Sequence, residues 1–259
     1  MLGIPRRYSH FIFGVIQAGL TSLIAAGIAS FPSPTPAEFF SHWLLSWLVA
    51  WIAMLPVVVV AGHRKIEGVT NVVLDQKRAA ELALRHLYQL GHRKIAFMRG
   101  GSHSSDADDR WNCLMAVARD LKIPVLPELC VQLALRVSTP ELGFVPTNEL
   151  LTRGGEFTAL VCFNDIAAIG AIRALMNYGQ RVPEDVSIVG FDDIQGAAFH
   201  NPSLTTIRQP LGEMGAVAAR ILLQRIRGQA TFPDVVPIHP ELIIRESTCP
   251  PRRIRTKRS

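Results

Sequence analysis

The sequence predicts an α/β fold with a parallel sheet, preceded by an apolar helical hairpin. Beyond residue 70, short apolar runs with strand character alternate with segments of helical periodicity. This alternation is typical of right-handed βαβ units, which build a parallel sheet. Before residue 63, two long stretches carry no charged side chain. The chain is therefore expected to contain two parts that need different surroundings.

The N-terminal part has the composition of a membrane hairpin. Phe11–Ser30 and Trp43–Gly62 are uncharged runs of twenty residues each, just long enough to cross about 30 Å of hydrocarbon as helices. Arg6–Arg7 precede the first run and Arg64–Lys65 follow the second. Positive residues on both outer flanks favour a hairpin with both ends in the cytoplasm. We expect membrane contact through residues 11–62, with the C-terminal domain on the cytoplasmic side of the inner membrane.

Two other interpretations of this part stay open. Arg6–Arg7, the apolar stretch that follows and Gly27–Ala29 resemble a secretory signal with a small-residue cleavage site. Leu55–Val60 contains a proline followed by four valines, which suits a buried strand better than a helix. The apolar segment would then end near Met54. A cytoplasmic location is the alternative to the membrane.

The charge is concentrated near the C-terminus, and the spacing of the cysteines does not indicate a metal site. The net charge of +6 comes mostly from the basic residues of Arg252–Arg258, and such a run is typical of a solvated, disordered terminus. The four cysteines have no CxxC or metal-ligand spacing, so we expect neither a metal nor a cofactor. Cys162 stands in an apolar strand pattern and is predicted to be a buried small hydrophobe.

The strands are predicted from short apolar runs that end in polar or turn-forming residues. Val72–Leu74 ends at Asp75, and the run after Asp185 ends at Asp192. Continuous apolar runs of this length suit strands that are buried on both faces. The predicted strands are Val72–Leu74, Ile95–Met98, Leu129–Leu133, Phe157–Phe163, Val186–Phe191, Leu204–Ile207, Val235–Ile238 and Leu242–Ile244.

Helical periodicity fills the segments between these runs. Gly91, Gly179 and Gly228 each follow such a segment, and glycine readily adopts the left-handed conformation of a helix C-terminus. Pro210 suits a first helical turn, and Asp165 is a candidate N-cap. The predicted helices are Ala80–Gly91, Asp108–Leu121, Leu142–Thr152, Asp165–Gly179 and Pro210–Gly228.

Polar side chains follow the apolar runs at the points where the strands end. Asp75, Asn164, Asp165, Asp192 and Asp193 all occupy such positions, and ligands of parallel sheets bind beyond the carboxyl ends of the strands. Carboxylates and amides there can share hydrogen bonds with a polyol or a purine. Helix or turn capping is the competing role for Asp165 and Asp193, so Asn164 and Asp192 are the stronger candidates.

Four motifs follow one another along the chain: Leu90–Ala96, Phe163–Ala171, Arg181–Asp193 and Asn201–Pro210. In their residues, order and spacing, they resemble the LacI/GalR family of bacterial transcription regulators. Asp75 and the alanine-rich helix after it fit the same pattern, and the resemblance spans roughly Leu55 to Ser247.

This resemblance implies a fold similar to periplasmic sugar-binding proteins, in which two α/β subdomains close on a small molecule. It implies a sugar or a nucleobase as the effector. Arg110 would clamp hydroxyls or a carboxylate with its planar donor fork, whereas from the residues alone it is equally well a surface arginine. The implied effector-binding residues are Asp75, Ser104, Asp106, Arg110, Asn164 and Asp192.

The resemblance also predicts a domain organisation. Family members begin with a helix-turn-helix that reads operator DNA, whereas residues 1–54 are apolar and resemble a family of small two-helix bacterial membrane proteins. We therefore expect a fusion in which DNA is contacted only through a partner or in the family's full-length form, and in which a homodimer is an option. The predicted divisions are the apolar segment 1–54, a remnant of the amino-terminal subdomain at 55–74 and 207–232, the effector subdomain at 75–206 and 233–247, and a basic tail at 248–259.

Three functional classes follow from these observations. The first is the effector-binding domain of a LacI-type regulator, and the second is a membrane-tethered or exported sugar-binding protein. An enzyme is disfavoured, because the sequence contains no G-x-S-x-G, G-x-G-x-x-G, P-loop or H-E-x-x-H motif. The side of the membrane on which the C-terminus lies would separate the first two classes.

Overall fold

The computed structural model describes residues 39–49, 70–101, 105–134, 139–227 and 232–252. Residues 39–49 form a helix. Among the described helices, none combines the length and the apolar composition needed to span a bilayer. The first predicted membrane span and most of the second lie outside the described residues.

The chain forms two compact units, which are described separately. One unit comprises Val73–Gly212 and Pro237–Ser259, and the other comprises Met1–Val72 and Glu213–Val236. In the second unit, the Arg225 guanidinium donates to the Thr70 hydroxyl at 2.9 Å. The domain boundaries expected from the sequence stay a prediction.

The strands form one large sheet and one two-stranded sheet. The large sheet has the order β3-β2-β4-β5-β6-β8, and β1 pairs with β7. The first five strands of the large sheet are parallel, and β8 runs antiparallel to β6. The predicted α/β fold with a parallel sheet is therefore confirmed. The strands are β1 (Asn71–Leu74), β2 (Ile95–Arg99), β3 (Cys130–Gln132), β4 (Ala159–Val161), β5 (Ser187–Asp192), β6 (Thr205–Arg208), β7 (Val235–Ile238) and β8 (Glu241–Ile243).

The helices follow the predicted periodic segments, with one addition. Gly91 ends the first helix in the left-handed conformation, at φ +104°, as predicted. A short fifth helix was not predicted, since five residues are too few to show a period. The helices are α1 (Gln76–Leu90), α2 (Ser105–Asp120), α3 (Glu141–Thr152), α4 (Asp165–Asn177), α5 (Gln195–Phe199) and α6 (Leu211–Ile226).

Helices α3 and α4 pack with their backbones in direct contact. A Cβ atom on Gly143 would lie 1.8 Å from the carbonyl oxygen of Ala167, and one on Gly170 would lie 1.9 Å from that of Pro140. Only glycine leaves room for so close an approach. The apolar face predicted for α4 is fully buried, and Cys162 is buried as expected.

The amino ends of the strands are closed by the C-terminal segment. The Ser247 hydroxyl donates to the Ile188 carbonyl oxygen at 2.7 Å and accepts from the Thr205 amide at 2.8 Å. The buried His92 ring contacts the Thr158 hydroxyl and the Cys249 carbonyl oxygen, both at 2.9 Å. Ser247 and His92, both buried at this end of the sheet, are therefore neutral groups whose hydrogen bonds are satisfied.

Candidate functional site at the carboxyl ends of the strands

The carboxyl ends of β2, β4, β5 and β6 lie at one edge of the sheet, because these strands are parallel. Asn164 follows β4, Asp192 ends β5, and Gln209 follows β6. Helix α2, which carries Asp106 and Arg110, begins after the loop that follows β2. The fold thus brings polar residues from distant parts of the sequence to the same edge, as the sequence predicts.

Arg110 is the central residue of this edge. It is buried, with 6% of its surface exposed, so the alternative of a surface arginine is wrong. Its Nε donates to the Gln76 side-chain oxygen at 3.3 Å, and its Nη1 donates to the Phe163 carbonyl oxygen. The guanidinium lies 3.4 Å from the centroid of the Phe191 ring and 4.6 Å from that of Phe163. Arginine forms such contacts with aromatic rings more often than lysine does.

Each of these contacts involves a chain neighbour of a residue that the sequence singles out. Gln76 follows Asp75, Phe163 precedes Asn164, and Phe191 precedes Asp192. Arg110 therefore ties together the segments that carry three of the expected effector-binding residues. The fourth, Asp106, lies on the first turn of α2 and is half-buried.

Burial and charge oppose each other in this cluster. Burial lowers the pKa of Arg110 to about 10, while Asp192, Asp106 and Asp165 act in the opposite direction. The guanidinium thus keeps its charge at neutral pH. Burial also raises the pKa of Asp192, against the effect of Arg110 and of a hydrogen bond from Gln209. The cluster therefore holds a cation and a carboxylate partly out of water, where polar contacts are strong.

Asp192 and Asp193 form a strained turn. Their φ angles are +112° and +57°, and a non-glycine residue in such a region costs about 1–3 kcal/mol. Asp193 accepts from Arg208 at 2.7 Å and from Arg245 at 2.6 Å. A capping role for Asp193 is therefore not what the structure shows, since its carboxylate binds two arginines that hold the turn in place.

Asp165 lies beneath the same turn and is fully buried. It accepts from the Thr206 hydroxyl at 2.6 Å and from the Ile194 amide at 2.9 Å. Burial raises its pKa to about 6, although both hydrogen bonds act to lower it. A Cβ atom on Gly190 would lie 2.2 Å from its Oδ1, which explains the glycine in this strand. The predicted N-cap is therefore wrong by one residue.

The cap of α4 is Asn164, whose side-chain oxygen accepts from the Ala167 amide at 2.9 Å. Asp75 caps α1 in the same way, accepting from the Arg78 amide at 2.9 Å. Its second oxygen lies 3.6 Å from His239 Nδ1. Asn164 and Asp75 thus each use one side-chain oxygen to cap a helix. Ser104 lies outside the described residues.

Four residues of this edge were missed by the sequence analysis: Gln76, Gln209, Phe163 and Phe191. Phe163, Phe191 and Gln209 lie within recognised motifs and Gln76 adjoins Asp75, so position along the chain is the signal that would have found them. Within the described ranges, no group of three or more His, Cys, Asp or Glu residues has the arrangement of a metal site.

Comparison with known proteins gives two family matches. Residues 84–248 match the model of the periplasmic binding protein-like domain, and residues 6–70 match a domain of unknown function. Among curated proteins, the chain is 40% identical over 183 residues to the HTH-type transcriptional repressor PurR of Haemophilus influenzae (strain PittEE). The match covers 69% of this chain and 53% of the repressor, so the chain spans about half the length of the curated relatives it matches.

Solved structures of LacI-family regulators are similar as well. The transcriptional regulator CelR in complex with cellobiose is 30% identical, with a TM-score of 0.64, over 70% of this chain and 54% of that one. A LacI family transcriptional regulator from Enterococcus faecium with bound ribose is 30% identical, with a TM-score of 0.63, over 73% of this chain and 69% of that one. The chain therefore belongs to the periplasmic binding protein-like family, as an effector domain of the LacI/GalR regulators.

Proposed function

We propose that the α/β unit binds a small polar effector, a sugar or a nucleobase, as the sensor of a LacI-type transcription regulator. The observation that carries this proposal is that the buried guanidinium of Arg110 and the half-buried carboxylate of Asp192 lie at the carboxyl edge of the sheet, where each charge acts on the pKa of the other. A cation and an anion that are held partly out of water lower stability, so such groups are expected where they serve a ligand or a specific contact. They sit where ligands of such sheets bind.

The chemistry of the edge suits both effector classes. The guanidinium donates and the carboxylate accepts, so that adjacent hydroxyls, or the amide-like edge of a base, match both groups. The Phe163 ring is half-buried beside them and offers an apolar face to a sugar ring or a base. Relatives with bound cellobiose and ribose support the sugar class, and similarity to the PurR repressor keeps nucleobases in the screen.

The remaining partners and the location belong to the same proposal. We propose that DNA is reached through a partner subunit or in the family's full-length form, that the effector domain associates as a homodimer, and that it acts by binding and not by catalysis. The domain would work in the cytoplasm, either free or tethered through residues 11–62. The names of the relatives reported above, a transcriptional repressor and transcriptional regulators, support this assignment.

A thermal-shift screen of the full-length chain tests the function. Ribose, cellobiose, adenine and guanine are added at increasing concentration, and a specific ligand stabilises by RT ln(1 + [L]/Kd), about 2.7 kcal/mol at a hundredfold excess over Kd. Asp192→Asn should abolish the shift, because it removes the anionic acceptor. Asp120→Asn, which changes an exposed carboxylate at the end of α2, should leave it intact.

A membrane-tethered or exported sugar-binding protein is the second candidate. The match of residues 6–70 to a separate family is the observation that favours it. A reporter fused after Ser259 decides between the two. Activity of a cytoplasmic reporter supports the regulator, whereas activity of a reporter that works only after export supports the second candidate.

A further inference from the structure

Two glutamine side chains are hydrogen-bonded to the two charged residues of the proposed site, Arg110 and Asp192. The Gln76 side-chain oxygen accepts from Arg110 Nε at 3.3 Å. The Gln209 side-chain nitrogen donates to Asp192 Oδ1. The cation is thus met by an amide oxygen and the anion by an amide N–H.

These contacts have the chemistry that an effector would supply. A sugar hydroxyl or a base edge offers an acceptor to a guanidinium and a donor to a carboxylate, and a primary amide presents the same two groups. Hydrogen bonds to charged groups are among the stronger ones in proteins. A ligand that takes over either position must therefore first replace a hydrogen bond that already exists.

We propose that Gln76 and Gln209 act as built-in competitors, standing in for the effector's polar groups on Arg110 and Asp192 and setting the threshold concentration for binding. This inference rests on the proposed function, since it describes the regulation of the same site. Without a ligand, the glutamines supply hydrogen bonds to Arg110 and Asp192. Charged groups held partly out of water would lower stability if they lacked such partners. They also weaken binding, because the effector gains only the difference between its own contacts and theirs.

The position of Gln209 adds a way to report occupancy. It lies between β6 and Pro210, at the start of the segment that leads into α6. When a ligand displaces the Gln209 amide from Asp192, the side-chain hydrogen bond between residue 209 and the turn after β5 is broken. Gln76, at the first position of α1, gives the same link to the helix that Asp75 caps.

Removal of either glutamine should strengthen effector binding instead of weakening it. Gln76→Ala and Gln209→Ala should each bind the responsive probe of the thermal-shift panel about five- to tenfold more tightly than the parent chain, with a larger gain in the double variant. A glutamine that contacts the effector directly, or that merely supports the fold, would give the opposite change when it is removed. Gln209→Asn, which is one methylene shorter, should act like Gln209→Ala and serves if the latter folds poorly.

Gln132→Ala is the matched control. Gln132 lies at the carboxyl end of β3, and its side-chain nitrogen donates to the Gly100 carbonyl oxygen at 3.3 Å. Its removal should change effector affinity by less than about twofold, because Gln132 is bonded to Gly100 and not to Arg110 or Asp192.

A second measurement needs no ligand. In a carbon-detected NMR titration, Gln209→Ala should raise the pKa of Asp192. The hydrogen bond from Gln209 stabilises the ionised carboxylate, and the variant lacks this bond. Gln132→Ala should leave this pKa unchanged. An unaltered pKa in Gln209→Ala would overturn the proposal, because the contact would then be absent in solution.

The outcomes separate this inference from the proposed function. Binding that weakens or stays the same in both glutamine variants would overturn the competition and leave the sensor role standing. If no probe binds the parent chain or any variant, the sensor role itself fails, and the competition fails with it.

Discussion

The two ends of the large sheet differ in kind. At the amino end, buried neutral groups such as Ser247 and His92 form hydrogen bonds with backbone atoms far away in sequence. At the carboxyl end, Arg110, Asp165 and Asp192 carry charge in partly dry surroundings, and the Asp192–Asp193 turn is strained. The same strands thus contribute stability at one end and forgo it at the other, which is the pattern expected where a binding site is built.

Removal of one hydroxyl at the amino end should have the largest effect on stability. Ser247→Ala leaves the Thr205 amide and the Ile188 carbonyl group without the partner that now bridges them. Each buried group that loses its partner costs about 1–3 kcal/mol, so we expect a loss of about 3 kcal/mol. Urea unfolding measures it.

Ser203→Ala is the matched control for this change, because the Ser203 hydroxyl donates to the exposed carboxylate of Glu246 and not to a buried backbone group. It should cost less than about 0.5 kcal/mol. Effector affinity should be the same in both variants. A weaker affinity in Ser247→Ala would mean that the two ends of the sheet are not independent.

At the carboxyl end, a pH dependence of stability should come from Asp165. Its pKa is about 6 in the folded protein, against 3.8 for an unperturbed aspartate, so the folded state binds this proton more tightly. Its contribution to stability is fully present below about pH 4 and is lost as pH rises through 6, by about 3 kcal/mol. Asp165→Asn, whose amide can still accept from Ile194 and donate to Thr206, should remove this fall in the free energy of unfolding.

Asp185→Asn tests the sign of this effect. The Arg181 guanidinium holds the pKa of Asp185 down at about 2, so its contribution is present above about pH 4 and is lost as pH falls. Replacement of Asp185 should therefore flatten the acid side of the stability profile and leave the fall between pH 4 and 6 unchanged. A profile in which Asp165→Asn behaves like the parent chain between pH 4 and 6 would contradict the assignment.

The smallest effect should come from a surface ion pair at the amino end. Lys94 and Glu156 are 2.9 Å apart, but their side chains are 51% and 75% exposed. Exposed pairs contribute about 0.2–1 kcal/mol, so Lys94→Met should lower stability by less than about 0.5 kcal/mol. A double-mutant cycle with Glu156→Gln isolates the coupling, and a value above 1 kcal/mol would show that charge stabilises this end after all.

The sequence predicts the strands and the helices better than it predicts the contacts of the site. Periodicity and turn residues suffice for elements such as α1, where Asp75 and Gly91 mark the two ends. The burial of Arg110 was not predictable from local pattern, because its stacking partner Phe191 is 81 residues away and the two meet only through the sheet. For the same reason the ion pairs of Asp193 with Arg208 and Arg245 were not foreseen, although all three residues lie in or beside recognised segments.

The closure by Ser247 and Cys249 has a consequence for the order of folding. His92 is 157 residues away from Cys249, so the ribosome makes the first strands of the sheet long before the segment that completes their amino ends. Until that segment has left the exit tunnel, the amide of Thr205 and the carbonyl group of Ile188 lack their native partner. We therefore expect the nascent sheet to stay incomplete until Ser247 and Cys249 are available, and to close in a late, long-range step.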